Sequence, residues 1–170
     1  STGRFAEYFG RWSAERWEWD GVEWLPLAVC HADWMSRGKA GGALAGLEKR
    51  LAEGDKPAVV LLHYPLRDRH GAPYGPFSRA LQDAAEVERV VAHPRVRAVL
   101  HGHEHHGYRT LLPRNGEELP IFNPGASGYA FLPARRRTAH FNLMEWKEGR
   151  IVGLERYAFD GTRFAPESGG

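Results

Sequence analysis

The sequence predicts an α/β fold in which helices alternate with buried strands, followed by a run of antiparallel strands. Two short apolar runs, at residues 58–62 and 96–100, each follow a helical pattern, which is typical of strands buried on both faces. From residue 108 onward the pattern changes to strands joined by turns, which favours an α/β sandwich over a doubly wound sheet. The 170 residues suffice for one domain with its own core. We expect this domain over residues 1–160, followed by a flexible tail at 161–170.

Composition excludes several classes of protein. Hydrophobic residues make up 42% and charged residues 26%, as in ordinary globular proteins. A net charge of +2 is too small to predict nucleic-acid binding. The sequence contains no apolar run long enough to span a membrane and no visible signal peptide. Because Cys30 is the single cysteine, no internal disulfide can form. A cytoplasmic location is expected unless an upstream signal has been removed.

The first 53 residues are predicted to form a helix, a strand and a second helix. Aromatic residues near the start have the i, i+3, i+4, i+7 spacing of a short amphipathic helix. The apolar pattern of residues 22–30 predicts a strand. Leucines on one face predict a helix over residues 40–53, which ends at Gly54 and Asp55. The side chains that carry these patterns are Phe5, Tyr8, Phe9, Trp12, Trp24, Leu25, Leu27, Val29, Leu44, Leu47 and Leu51.

Residues 58–159 are predicted to contain one further helix between strands and turns. The strand at 58–62 stops at His63, and a loop rich in Gly and Pro follows over residues 66–76. Pro76 favours the start of a helix whose apolar residues recur every three or four positions and which ends near Pro94. After the strand at 96–100 we expect strands at 108–112, 119–122, 138–146 and 151–159, with turns at Asn115-Gly116 and 147–150.

Histidines follow both of the buried strands. His63 ends the first, and His103 and His105 follow the second, within a group of four histidines in six residues. In open α/β sheets, ligands bind beyond the carboxyl ends of the strands. Two histidines two positions apart on an extended segment point to the same side, which turns Glu104 away. Because neutral imidazole is the commonest metal ligand, the three histidines predict half of a metal site.

These histidine-bearing segments resemble a known family. Residues 59–65 (VVLLHYP) and 99–105 (VLHGHEH) look like the last two metal-binding motifs of the calcineurin-like metallophosphoesterases, and residues 121–127 (IFNPGAS) resemble the turn that often comes after them. The resemblance spans roughly residues 5–160. It implies a four-layer α/β/β/α sandwich of which this chain supplies the C-terminal half.

The resemblance also implies a reaction and a ligand set. His63 and His103 would bind one divalent ion and His105 a second, with Mn, Fe or Zn suited to such ligands. The two ions would hydrolyse a phosphomonoester or phosphodiester through a metal-bound hydroxide. We favour a phosphodiester, because the loop after His63 is short.

The three earlier motifs of the family, D-x-H, G-D-x-x-D and G-N-H-D/E, do not occur in the right place. Asp68-Arg69-His70 matches D-x-H, but it comes after His63 and lies in a loop. Gly54-Asp55 lacks the second aspartate and is expected to end a helix. Residues 3–10 resemble the segment directly after the third motif in this family. The missing N-terminal half, in cis or as a separate chain, is therefore the expected partner, and aromatic residues near the N-terminus are expected to meet it.

Other residues have weaker functional interpretations. Tyr64, Arg67 and His106 are candidates to line the pocket or contact substrate, and Asn123 to orient a ligand. Arg69 and His70 share that interpretation with ordinary solvated loop charges. The residues His31, His93 and His140 are expected to be surface or hydrogen-bonded core histidines, and Arg135, Arg136 and Arg137 a solvated surface.

Two other functions compete with a phosphoesterase. A relative that kept the fold as a non-catalytic interaction scaffold would explain the missing aspartates but has no need of His63, His103 and His105. A stand-alone zinc-binding module lacks the Cys/His spacing of structural zinc sites.

Overall fold

The computed structural model of the protein describes residues 17–29, 37–75 and 79–167. Within them lie two α-helices, α1 (Ala43–Glu53) and α2 (Ala84–Val91), and a short 3-10 helix, Pro133–Arg135. The helix predicted over residues 5–12 lies outside the described residues, as do Pro76 and Phe77. The described strands are β1 (Trp17–Trp19), β2 (Val22–Pro26), β3 (Ala58–Leu62), β4 (Val96–His101), β5 (Tyr108–Arg114), β6 (Glu117–Asn123), β7 (His140–Lys147), β8 (Arg150–Phe159) and β9 (Phe164–Pro166).

The strands form two sheets. The larger has the order β1-β2-β3-β4-β6-β5, in which β2, β3, β4 and β6 are parallel. Antiparallel β1 and β5 form its edges. The smaller sheet is antiparallel, with the order β7-β8-β9. The fold is therefore mixed α/β, as predicted. The carboxyl ends of the parallel strands β3, β4 and β6 lie along one side of the larger sheet, which we call its carboxyl edge.

Both faces of the larger sheet are covered. Alternate residues of β3 point to opposite faces, so Val60 and Leu62 join the core under α1 and α2, whereas Val59 joins a second cluster. This second cluster packs against apolar residues of β7 and β8, including Met144 and Leu154. The prediction that residues 58–62 form a strand buried on both faces is confirmed. The order of layers is thus helix, sheet, sheet.

The fourth, helical layer expected beyond the smaller sheet is not seen among residues 17–29, 37–75 and 79–167. On the outer side of that sheet, Phe141 stacks on Tyr157 with ring centroids 4.9 Å apart, and Leu143 is exposed. The fourth layer and the assignment of the chain as a C-terminal half stay predictions.

Arg95 joins the end of α1 to the sheet. Its guanidinium donates to the carbonyls of Arg50 at 3.1 Å and Leu51 at 2.8 Å, which lie in the last turn of the helix. The Arg50 carbonyl also accepts from the Gly54 amide at 3.1 Å. The guanidinium also donates to the carbonyl of Lys56 at 2.6 Å and pairs with Glu23 of β2. One arginine therefore fixes the helix terminus against two neighbouring strands.

Several predicted boundaries differ from the structure. The strand predicted over residues 22–30 ends at Pro26, and Cys30 lies outside the described residues. The helix predicted over 40–53 begins at Ala43, because Asp83 accepts hydrogen bonds from the backbone of residues 40 and 41. The helix expected to follow Pro76 begins only at Ala84. Leu81 instead forms an isolated bridge with Gly38.

Two strands were not predicted. β1 pairs with β2 across Asp20 and Gly21, which both have positive φ, as a tight hairpin turn requires. β9 pairs with β8 inside the segment predicted as a flexible tail over 161–170, because Asp160 caps the turn between them. No helix of the described residues has the length and apolar character needed to cross a membrane.

Candidate metal centre

Two strand ends bring His63 and His103 into contact. His63 follows β3 directly, and His103 lies two residues beyond β4, the neighbouring parallel strand. The Gly102 amide donates to the His63 carbonyl at 3.1 Å, which ties the two segments together. As a result, His63 Nε2 lies 3.2 Å from His103 Nδ1, and the two rings are perpendicular. The sequence predicted that these two residues meet at this edge.

The separation of the two nitrogens fits a shared divalent ion. Imidazole nitrogens lie about 2.0–2.1 Å from zinc, so two of them on one ion are roughly 3–3.4 Å apart at angles from 90° to tetrahedral. The observed 3.2 Å falls in this range. The other ring nitrogen of His103, Nε2, is buried and has no hydrogen-bond partner among the described residues. The pair could therefore hold one ion.

The electrostatic surroundings keep both imidazoles neutral. Burial lowers the pKa of His63, and the neighbouring His105 lowers it further. Burial also lowers the pKa of His103, with His63 as the next cause. Since a neutral imidazole has the lone pair that a metal needs, both side chains are in the binding form near neutral pH.

His105 does not join this pair. His103 has φ 69°, residues 103–106 form bends, and the extended segment predicted there is wrong. The His105 ring instead contacts the Tyr129 ring, with centroids 4.9 Å apart. Within the described ranges, no group of three or more His, Cys, Asp or Glu side chains is placed to hold a metal ion. The role of His105 as a ligand to a second ion stays a prediction.

Asn123 fixes the segment that carries His103. Asn123 lies at the end of β6 and is fully buried. Its Nδ2 donates to the carbonyls of Gly102 at 3.3 Å and Glu104 at 2.9 Å, on either side of His103. Its Oδ1 accepts from the Gly125 amide at 2.9 Å. These bonds support the predicted role in orienting a ligand, because they fix the backbone from which His103 extends.

Asn123→Ala is expected to weaken divalent-ion binding by about 10–100-fold, the usual effect of losing a group that orients a ligand. It is also expected to cost about 1–3 kcal/mol of unfolding free energy, since buried backbone groups lose their partners. A chelator-dye competition and urea unfolding measure the two effects. Asn115→Ala, in the exposed turn between β5 and β6, is the control and should leave metal affinity unchanged. Equal metal affinity in the two variants would contradict this role of Asn123.

The other predicted pocket residues have different surroundings. Tyr64 is buried and its ring lies 4.6 Å from that of His103, so it forms part of the wall of the site. Arg67 donates to both carboxylate oxygens of Glu88 on α2, at 2.6 and 2.7 Å, so its contacts tether the loop after His63. His106 is exposed beside Tyr129. Contact of any of the three with substrate stays a prediction.

Asp68 and His70 do not form a ligand pair. Asp68 Oδ1 accepts from the backbone amides of His70 at 2.8 Å and Ala72 at 3.0 Å. This pattern is an Asx turn, in which the carboxylate shapes its own loop. The match of residues 68–70 to D-x-H therefore reflects a turn that shapes the loop, and not a pair of metal ligands.

The remaining histidines are separate from the pair. His101 is buried at the end of β4, and burial lowers its pKa to about 4, so it is a core residue. His140 is also buried, with Nδ1 3.4 Å from Glu167. His93 accepts a hydrogen bond from the Arg95 amide at 3.3 Å, at the opposite edge of the sheet. His31 lies outside the described residues.

Two tyrosines near the site were not predicted. The Tyr74 hydroxyl donates to the carboxylate of Glu104, and the Tyr74 ring lies 6.5 Å from the His103 ring. Burial, together with this hydrogen bond, raises the pKa of Tyr74 to about 12. Tyr129 contacts His105 from the segment between β6 and β7. Neither tyrosine belongs to a periodic pattern, so the sequence carried no signal for them.

Comparisons with known proteins find distant structural similarities. No protein-family model and no curated protein matches the sequence. Vps29 from Entamoeba histolytica, in a structure complexed with Zn²⁺, is 16% identical with a TM-score of 0.36, over 86% of this chain and 96% of that one. A protein described as a 5'-nucleotidase from Staphylococcus aureus, in complex with alpha-ketoglutarate, is 15% identical with a TM-score of 0.42, over 91% of this chain and 28% of that one. These scores do not assign a family.

Proposed function

We propose that this chain supplies half of the dinuclear metal centre of a calcineurin-like metallophosphoesterase. The observation that carries the proposal is the 3.2 Å separation between His63 Nε2 and His103 Nδ1 at the carboxyl ends of two neighbouring parallel strands. A scaffold protein has no need of two neutral imidazoles at this separation. The reaction is the hydrolysis of a phosphomonoester or phosphodiester.

The residues of this chain have distinct parts in the proposed site. His63 and His103 hold one divalent ion, and His105 contributes to a second. Such ions, when bound, polarise a phosphoryl oxygen and activate a water molecule. Mn, Fe and Zn all suit imidazole and oxygen ligands. Asn123 keeps His103 in place through the carbonyls of Gly102 and Glu104. Tyr64 packs against the His103 ring and forms one wall of the pair.

The proposed site requires carboxylates from another polypeptide segment. Two divalent ions close together need a bridging negative charge, and imidazoles supply none. Glu104, the carboxylate nearest in sequence, already accepts a hydrogen bond from the Tyr74 hydroxyl. We propose that the missing N-terminal half, in cis or as a separate chain, supplies these ligands. The exposed Trp17 and Trp19 of edge strand β1 are available to contact it.

The alternative proposal is a non-catalytic interaction scaffold. The aromatic outer side of the smaller sheet favours it, because exposed apolar faces commonly bind other proteins. Phe141, Tyr157, Phe159 and Phe164 are in contact there, and Leu143 is exposed beside them. The two proposals differ in whether the protein holds metal.

Elemental mass spectrometry of the purified protein, with every polypeptide quantified, tests the choice. We expect at most one weakly held divalent ion per chain when this chain is alone and about two when the N-terminal half is present. Hydrolysis of bis(p-nitrophenyl) phosphate and p-nitrophenyl phosphate, with Mn, Fe or Zn supplied, should accompany the second state only. The His93→Ala variant is the control for nonspecific histidine binding. Absence of metal from the assembled protein would contradict the phosphoesterase and favour the scaffold.

A further inference from the structure

The segment between β6 and β7 places a cation against a tyrosine that also contacts His105. The Arg137 guanidinium lies over the face of the Tyr129 ring, with Cζ 4.3 Å from the ring centroid. The His105 ring contacts the same tyrosine at 4.9 Å, and the His106 ring lies at 6.3 Å. A single tyrosine is therefore in contact with both Arg137 and a proposed metal ligand.

Arg137 is held firmly but lacks an anion. Its backbone pairs with Leu132, with hydrogen bonds of 2.8 and 3.2 Å, so its position on the loop is fixed. Its Nε is buried without a hydrogen-bond partner, and no carboxylate of the described ranges forms an ion pair with it. Burying an arginine nitrogen without an acceptor is costly. An anionic ligand at this position would remove that cost.

Among the other partly buried arginines, Arg67 and Arg156 have carboxylate partners, whereas Arg50, whose Nε is also buried without a partner, donates to the Pro26 carbonyl. Arg67 pairs with Glu88 at 2.6 Å, and Arg156 pairs with Glu167 at 3.0 Å. The neighbouring Arg135 and Arg136 are exposed, as expected for a solvated surface. Arg137 differs from both groups, so the solvated surface predicted for all three arginines does not describe it.

We propose that Arg137, supported by the face of Tyr129, binds a second anionic group of the substrate. This inference rests on the proposed phosphoesterase function. The phosphoryl group that reacts would lie at the His63–His103 pair, whereas Arg137 stacks on the tyrosine that contacts His105. The planar guanidinium suits two-point binding of a carboxylate or phosphate. The substrate class is therefore a phosphoester whose leaving group itself carries an anion.

Calorimetric titration of the full chain, with Zn²⁺ supplied, tests this proposal. Phenyl phosphate and 4-carboxyphenyl phosphate are the probes, because they differ only in the second anion. Arg137→Gln should weaken binding of 4-carboxyphenyl phosphate about tenfold, the effect of losing one hydrogen-bonded charge. It should leave binding of phenyl phosphate unchanged. Arg135→Gln, from the same run of arginines, is the matched control and should change neither affinity.

A second pair of variants tests the platform under Arg137. Tyr129→Phe keeps the ring and should retain the preference for 4-carboxyphenyl phosphate, whereas Tyr129→Leu should lose it. If the Arg137→Gln variant does not fold, Arg137→Lys replaces it. Lysine keeps the positive charge but lacks the planar guanidinium that binds an anion at two points, so part of the preference for 4-carboxyphenyl phosphate should be lost.

The outcomes separate this inference from the proposed function. Equal weakening of both probes by Arg137→Gln, no weakening of either, or no binding of either probe to the unaltered chain would overturn the anion subsite. A preference for 4-carboxyphenyl phosphate that depends on Arg137, in a protein without esterase activity in any assembly, would keep the subsite and contradict the phosphoesterase. Esterase activity in a protein without that preference would support the phosphoesterase and contradict the subsite.

Discussion

His103→Ala is expected to abolish metal-dependent phosphoesterase activity of the assembled protein and to weaken metal binding strongly. His103 supplies one of the two nitrogens that lie 3.2 Å apart, so the variant leaves His63 as a single imidazole. Its effect on metal affinity should exceed the roughly 10–100-fold that results from losing a group that merely orients a ligand. Competition with a zinc-binding dye measures the affinity, and hydrolysis of bis(p-nitrophenyl) phosphate measures the activity.

The matched control for this substitution is His93→Ala. His93 lies after α2, at the amino-terminal end of β4, so it is at the edge of the sheet opposite His103. The control should keep both metal affinity and turnover, whereas His63→Ala should reproduce the defect of His103→Ala. Unchanged turnover in His103→Ala would remove His103 from the ligand set, whatever the metal content of the protein.

The meeting of His63 and His103 was predictable because it depends on signals that are local in sequence. Each histidine follows a short apolar run, and two such runs separated by a helix form neighbouring parallel strands. The register of β3 and β4, which pairs Leu62 with His101, then places the two strand ends side by side. The position of His105 was not predictable in this way. The positive φ of His103 turns the chain, and no residue pattern marks that turn.

The errors in the fold have similarly specific causes. Pro76 suggested a helix start, but Asp83 accepts hydrogen bonds from residues 40 and 41, and α2 begins only after it. Asp20-Gly21 is a dipeptide typical of hairpin turns, but the aromatic residues around it favoured other interpretations, so β1 was not predicted. Tyr129 and Arg137 meet through a loop without periodicity. Contacts that depend on loop conformation are not encoded in the spacing of apolar residues, so this side of the site emerged only from the structure.

Of the substitutions proposed, Arg95→Met is expected to cause the largest loss of stability. The expected loss is about 3–5 kcal/mol of unfolding free energy, which is typical when one partner of a buried ion pair is removed. The side chains of Arg95 and Glu23 are only 12% and 8% exposed. The substitution removes the arginine that pairs with the buried Glu23 carboxylate. It also removes the donors to the last carbonyls of α1, at Arg50 and Leu51. Urea unfolding at neutral pH measures the loss.

Arg89→Met provides the matched control, because Arg89 pairs with Glu48 between the two helices, but with side chains that are 65% and 53% exposed. An exposed pair of this kind contributes about 0–1 kcal/mol. The double variant Arg95→Met with Glu23→Gln should be more stable than Arg95→Met alone, since it also removes the buried negative charge that Arg95 neutralises. If Arg95→Met cost no more than Arg89→Met, Arg95 would not be the group that fixes α1 to β2. The junction would then depend on the apolar contacts of Leu47 and Leu51 alone.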